Sequence, residues 1–161
     1  GTLGNANARE RVDGIKKAIA GTKIEIVDIR TDDIDFAKAK RNVEDTLTKY
    51  DDLAMLVGLY SYNTPIIYDA MKAAGKLGKI KVVGFDEDPV TLRGVQEGVI
   101  EGTVVQQPYE FGYQTVKLLA QYIEGDKSFI PADHLKIIPT RLIDSSNVAD
   151  FQKTMKELLK K

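Results

Sequence analysis

Short apolar runs alternate with longer amphipathic stretches along this chain. Residues 6–20 place Ala8, Val12, Ile15 and Ile19 at helical spacing and stop at Gly21, which predicts a helix close to the first residue. Residues 23–29 alternate as a strand, 36–50 read as a helix, 53–59 as a buried strand, and 64–74 as a helix closed by Gly75. A strand at 80–85, a short helix from Pro89 and a strand at 99–105 follow. The pattern then gives a helix at 108–124, a strand near 135–143 and a last helix from about 147.

Strands separated by helices of this length need crossover connections. The expected fold is therefore α/β, a parallel sheet sandwiched by helices in a Rossmann-like three-layer arrangement. Such a fold normally begins with a strand. Here Gly1-Thr2-Leu3-Gly4-Asn5 leads straight into a helix, so the expectation is a fragment whose first strand is absent. The helix at 108–124 carries Tyr109, Tyr113, Val116, Ala120 and Ile123 on one face and Phe111, Leu118 and Tyr122 on another. A surface helix needs only one apolar stripe, so this one is expected to pack on something beyond its own sheet.

Composition narrows the chemistry. The 161 residues, 43% hydrophobic and 29% charged, suit one compact domain. The 23 basic and 24 acidic residues nearly cancel, so charge gives no case for nucleic acid or an anionic membrane. Cysteine is absent and His134 is the only histidine, which excludes disulfides and thiolate chemistry and leaves a zinc site to carboxylates. No Gly-x-Gly-x-x-Gly follows a strand, and there is no phosphate loop, nucleophile elbow or His-Glu-x-x-His motif. No catalytic residue, cofactor or metal is assigned, and His134 is given no role.

The candidate chemistry lies where strands end. Val-Val-Gly-Phe-Asp86 and Gly-Thr-Val-Val-Gln106 are apolar runs that each finish in a polar side chain. In an open α/β sheet these carboxyl ends line the ligand crevice. Asp86 is open to roles as a catalytic acid, a metal ligand, an acceptor for sugar hydroxyls or a turn residue. Asp88-Pro89 already supplies the cap and first position of the next helix, so Asp86 is not needed there. The Gln106 amide both donates and accepts, which suits a polyol.

Arg11 reads first as a solvated helix residue; if it faces the crevice, its fork of donors can bridge two hydroxyls or reach a carbonyl. Tyr60, in Leu-Tyr-Ser-Tyr-Asn-Thr-Pro, suits either rim packing or a ligand platform, and Asn63 or Thr64 is the expected cap of the helix that follows. Phe36 defaults to core packing, with stacking on an apolar sugar face as the sharper role.

In order along the chain, Asn5-Ala-Asn-Ala-Arg-Glu-Arg11, Val-Gly-Leu-Tyr60-Ser-Tyr-Asn-Thr-Pro, Val-Val-Gly-Phe-Asp86 and Gly-Thr-Val-Val-Gln106-Gln-Pro-Tyr resemble the type I periplasmic sugar-binding proteins. These are the ribose- and galactose-binding receptors of ABC importers. The resemblance implies a non-catalytic solute receptor with two α/β lobes that clamp a monosaccharide, and this chain as the carboxyl-terminal lobe, residues 1–161. Residues 108–131 would pack on the missing amino-terminal lobe.

It also implies that Arg11, Asp86 and Gln106 hydrogen-bond sugar hydroxyls. Tyr60 stands where ribose binders place an asparagine, and the aromatic platform falls among Ile34, Asp35 and Phe36. The implied partners are a monosaccharide and a membrane permease, and the implied location is the periplasm, or the outer surface with a lipid anchor in a Gram-positive source. A lone lobe is expected to self-associate as a dimer. The alternative is the effector domain of a lac-repressor-like regulator, which shares the fold; a small hydrolase or isomerase using Asp86 lacks a second catalytic group at any recognisable spacing.

Overall fold

The computed structural model describes residues 1–160. In chain order the elements are α1 (Ala6–Ile19), α2 (Phe36–Lys49), β1 (Met55–Val57), α3 (Asn63–Ala73), β2 (Lys81–Phe85), α4 (Pro89–Gln96), β3 (Gly102–Val105), α5 (Pro108–Ile123), β4 (Arg141–Ile143) and α6 (Val148–Leu158). The strands form one sheet in the order β1-β2-β3-β4. β1 pairs with β2 and β2 with β3 in parallel, through Leu56 with Val82 and Gly84 with Thr103.

The expected α/β fold is present, with two local corrections. β4 runs antiparallel to β3, Thr103 facing Ile143, rather than extending a wholly parallel sheet. The connection from β3 passes through α5 and residues 124–140 and brings the chain back to the sheet edge at the end where β3 leaves it, Arg141 beside Val105, so β4 runs the other way; an antiparallel edge strand on a parallel sheet is a common outcome. The strand also occupies only Arg141–Ile143, not 135–143.

The second correction concerns residues 23–29, which form no strand and join no ladder. Ile24 and Ile26 are 64% and 38% exposed, although their spacing is that of a strand. Alternation specifies which face would be buried; it cannot supply the neighbour whose N–H and C=O groups complete the ladder. β1 pairs only with β2 among the described residues, so its other edge is open as well.

The core lies between the sheet and helices α3, α4 and α6. Met71, Val82, Val95, Val105 and Ile143 are fully buried there, with Leu47, Ile67, Leu92, Ile100 and Val148 around them. Each such side chain contributes about 1.5–3 kcal/mol relative to exposure. Helix ends follow the sequence: Asp88 accepts from the Val90 N–H at 2.8 Å with Pro89 at the first helical position, and Gly75, with φ of 63°, follows α3.

α5 has no buried residue at all. Tyr109, Tyr113, Val116 and Ile123 are 52–76% exposed along it, the outward apolar surface that its double stripe predicts. None of the helices among the described residues is long and apolar enough to cross a membrane.

Candidate functional site

Glycines set the floor of the site. A Cβ on Gly58 or on Gly84 would stand 2.6 Å from Thr64 Oγ1, so both positions must be bare for α3 to begin directly over the ends of β1 and β2. Thr64 is fully buried, and its hydroxyl has no partner among the described residues. This close approach brings the residues that follow β1, β2 and β3 to one rim.

Asp86 follows β2. Its N–H donates to Val104 O at 2.9 Å, and its carbonyl accepts from Thr103 Oγ1 at 2.7 Å. These bonds hold a backbone with φ of 69°, in the left-handed region that aspartate tolerates better than most residues. Strain of this kind persists where surrounding structure over-determines it, and it turns the carboxylate toward the rim. Gln106 follows β3 and donates from Nε2 to Asp86 Oδ1 at 3.2 Å. The neighbouring Glu87 carboxyl is pushed up from its ordinary range by burial and then by the charge of Asp86.

Arg11 reaches this rim from α1, which settles its orientation: it is not a solvated helix arginine. Its guanidinium donates to the Leu59 carbonyl, lies over the Phe85 ring 4.5 Å from the centroid, and lies 5.5 Å from the Tyr60 centroid. Cation–π contact and the carbonyl bond together fix its plane. No ion pair joins Arg11 to Asp86 among the described residues, so neither charge neutralises the other. Tyr60 completes the support by donating from its hydroxyl to Asn7 Oδ1 at 3.1 Å, back to α1.

Phe36 opens α2 and is 60% exposed, so it is not a core residue. Its ring lies 4.9 Å from Tyr62, and Tyr62 stacks on Tyr60 at 6.2 Å and 12°. Phe36, Tyr62, Tyr60, the Arg11 guanidinium and Phe85 thus form a continuous row that ends at Asp86 and Gln106. All five sequence-predicted residues, Arg11, Phe36, Tyr60, Asp86 and Gln106, belong to it.

Tyr62, Phe85 and Asp32 were not legible as site residues. Tyr62 donates to Asp32 Oδ1 at 2.5 Å, and Asn63 Nδ2 donates to Asp32 Oδ2 at 2.9 Å. Asn63 is therefore not the cap expected of it: it is the first residue of α3, and its Oδ1 accepts from the Tyr60 N–H at 3.1 Å. Thr64 faces the sheet instead of capping. Burial works against a charge on Asp32, but the Gly1 amino nitrogen, the Tyr62 hydroxyl, the Ile34 N–H and the Asn63 amide together bring its carboxyl below the ordinary value. The Tyr62 hydroxyl is pushed strongly upward, first by burial and then by the Asp32 carboxylate that accepts its proton.

Chemically, the rim offers one carboxylate, one guanidinium, one amide and a row of aromatic faces. Planar hydrogen-bonding groups beside flat apolar rings suit a molecule with hydroxyls on its edge and C–H groups on its face. Among the described residues no group of three histidine, aspartate or glutamate side chains is arranged to hold a metal ion.

Residues 1–127 match the model of the periplasmic binding protein domain. The chain is 31% identical over 140 residues to the ribose import binding protein of Haemophilus influenzae, which covers 86% of this chain and 47% of that protein. It is 29% identical over 148 residues to the D-allose-binding periplasmic protein of Escherichia coli, covering 90% and 46%. Among solved structures, a glucose-galactose binding protein from Geobacillus stearothermophilus superposes with a TM-score of 0.81 at 29% identity, over 91% of this chain and 51% of that one. The chain spans a little under half the length of these two curated relatives.

Proposed function

The chain belongs to the periplasmic binding protein domain family, and from that premise we propose that it forms the carboxyl-terminal lobe of a monosaccharide receptor serving an ABC importer. The observation that carries this reading is the convergence of Arg11, Asp86 and Gln106 beside Tyr60 at the ends of β1, β2 and β3. Asp86 accepts from sugar hydroxyls, Gln106 both donates and accepts, and Arg11 donates to ring or hydroxyl oxygens. The Phe36–Tyr62–Tyr60 row presents its faces to the C–H side of the ring. The relatives named above bind ribose, D-allose, and glucose or galactose, so a pentose or hexose is the ligand class this reading gives the chain.

Binding, not catalysis, is the role. A sugar held between two lobes stabilises their closed arrangement, and closure is what the membrane permease recognises. α5, with no buried residue of its own, packs on the second lobe, and the half of the relatives' length that this chain does not span leaves room for that lobe. The receptor acts outside the cytoplasmic membrane, as the periplasmic relatives' names suggest. The regulator reading draws no support from these relatives, whose names are those of sugar receptors.

The test is a panel of monosaccharides titrated into the full-length protein and its Asp86→Ala variant. A sugar that raises the melting temperature of the first and not of the second supports the reading. A full-length protein that takes up no monosaccharide would sink it.

A further inference from the structure

The buried carboxylate of Asp32 contacts Tyr62, Asn63 and the turn before Phe36, and the proposed function leaves it unused. Asp32 is 4% exposed and lies between the segment leading to α2 and the start of α3. Toward α3, its Oδ1 accepts from the Tyr62 hydroxyl at 2.5 Å and its Oδ2 from Asn63 Nδ2 at 2.9 Å. Asn63 in turn accepts from the Tyr60 N–H at 3.1 Å. Tyr62 and Tyr60, the two stacked rings, are thus both tied to one acid.

Toward α2 the same carboxylate adds a bond to a strained turn. Asp33 and Ile34 have φ of 54° and 66°, and the left-handed region is a true outlier for a β-branched residue such as Ile34. The Ile34 N–H donates to Asp32 Oδ1 at 2.9 Å, and the Asp35 N–H donates to Asp32 O at 2.9 Å. Asp35 then caps α2 by accepting from the Lys38 N–H at 2.9 Å, which places Phe36 at the first helical position, against Tyr62. Loss of the carboxylate would free the turn that aims Phe36 and the hydroxyl that aims Tyr62 at the same time.

We infer that Asp32 is a positioning residue for ligand recognition: through Tyr62, Asn63 and the strained turn at Ile34 it fixes the orientation of the Phe36–Tyr62–Tyr60 ledge on which the sugar ring lies, without touching the sugar. This rests on the proposed function. A hydrogen-bonded carboxylate inside a water-poor site holds its donors more firmly than a neutral amide can, because charge-assisted bonds are about twice as strong. An isosteric amide in its place would leave the rings present but loosely aimed.

The experiment uses the full-length protein, as wild type, Asp32→Asn, Tyr62→Phe and the double variant, titrated calorimetrically with a monosaccharide panel. Wild type is expected to bind at least one sugar; if it binds none, the proposed function itself fails, and this inference with it. Given that binding, Asp32→Asn should weaken it about tenfold, the equivalent of one charged hydrogen bond lost from the support. It should also reduce the preference for the best sugar over its epimers. Tyr62→Phe keeps the ring but loses the tether, and should weaken binding about threefold even if Asp32→Asn proves too unstable to purify.

The two losses should not multiply in the double variant, since both break the same connection. Ultraviolet titration should show the Tyr62 hydroxyl ionising at lower pH in Asp32→Asn than in wild type. A variant that melts earlier but keeps wild-type affinity and sugar preference would reduce Asp32 to a structural residue and overturn the inference. So would a Tyr62→Phe variant with unchanged affinity, or losses that multiply.

Discussion

Gln106 Nε2 donates to Asp86 Oδ1 at 3.2 Å, joining the ends of two adjacent parallel strands at the rim of the sheet. A ligand hydroxyl that enters there meets an amide and a carboxylate already oriented toward each other. Removing the carboxylate is expected to cost more than removing the amide, because bonds to a charged acceptor are the stronger kind. In the full-length protein, Asp86→Ala should weaken monosaccharide binding by about 3 kcal/mol and Gln106→Ala by about 1 kcal/mol. Calorimetric titration of both variants checks the order.

The left-handed backbone at Asp86 gives a prediction about stability alone. Glycine accepts that conformation freely and alanine does not, so Asp86→Gly should be more stable than Asp86→Ala by about 1 kcal/mol. Both should show the same weakened monosaccharide binding, since both lack the carboxylate. Chemical denaturation of the pair measures the difference, and equal midpoints would mean that the backbone relaxes when the side chain goes.

At Gly84 the prediction is steric. An added methyl group meets Thr64 Oγ1 at 2.6 Å and its Cγ2 at 3.0 Å, where the start of α3 crosses the end of β2. Gly84→Ala should lower stability by about 1–3 kcal/mol, the usual range for overpacking. Thr64→Ala, which removes both the Oγ1 and the Cγ2, should recover part of that loss when combined with it. Thermal melts of the single and double variants decide the matter.

Stability against pH should show opposite contributions from two carboxyls. In the chain as it stands, where the free Gly1 amino group is among its donors, Asp32 is lowered from 3.8, so its contribution is present above that value and is lost as the pH falls through the folded-state pKa. Glu87 is raised from 4.5, so it favours the folded state fully below that value, and this is lost as the pH rises through its folded-state pKa. Asp32→Asn should flatten the acid limb of the melting-temperature curve. Glu87→Gln should flatten the slope just above pH 4.5 and leave the protein more stable than wild type at neutral pH.

For the chain as it stands, the outward face of α5 predicts self-association. Val116 and Ile123 are 70% and 76% exposed, beside Tyr109 and Tyr113. Sedimentation should find dimers of the isolated chain, and Val116→Glu with Ile123→Glu should shift them to monomers. A monomeric, well-folded wild-type chain would count against the exposed face as a contact surface.

Much of this was readable from residues, and the exceptions share a cause. Helix ends at Gly75 and Asp88-Pro89 are written in local chemistry, and so were found. Asp86 and Gln106 stand out because apolar strands end on them. Residues 23–29 carried a correct period, yet no period reveals whether a neighbouring strand is there to pair with. The direction of β4 depends on the path of the long connection through α5, which periodicity does not encode. Asp32 was hidden because its partners, Tyr62 and Asn63, are 30 residues or more away along the chain, and an Asp-Asp-Ile-Asp run reads as a solvated turn. The one available signal was Tyr-Ser-Tyr after a strand, which puts two rings on the same side.

Arg11, held between two rings and bonded to a backbone carbonyl, has little rotational freedom left. A free arginine side chain carries about 2 kcal/mol of rotamer entropy. Here that loss belongs to folding and not to the arrival of a ligand, so association should be limited by desolvation and lobe movement more than by the search of this side chain for its geometry.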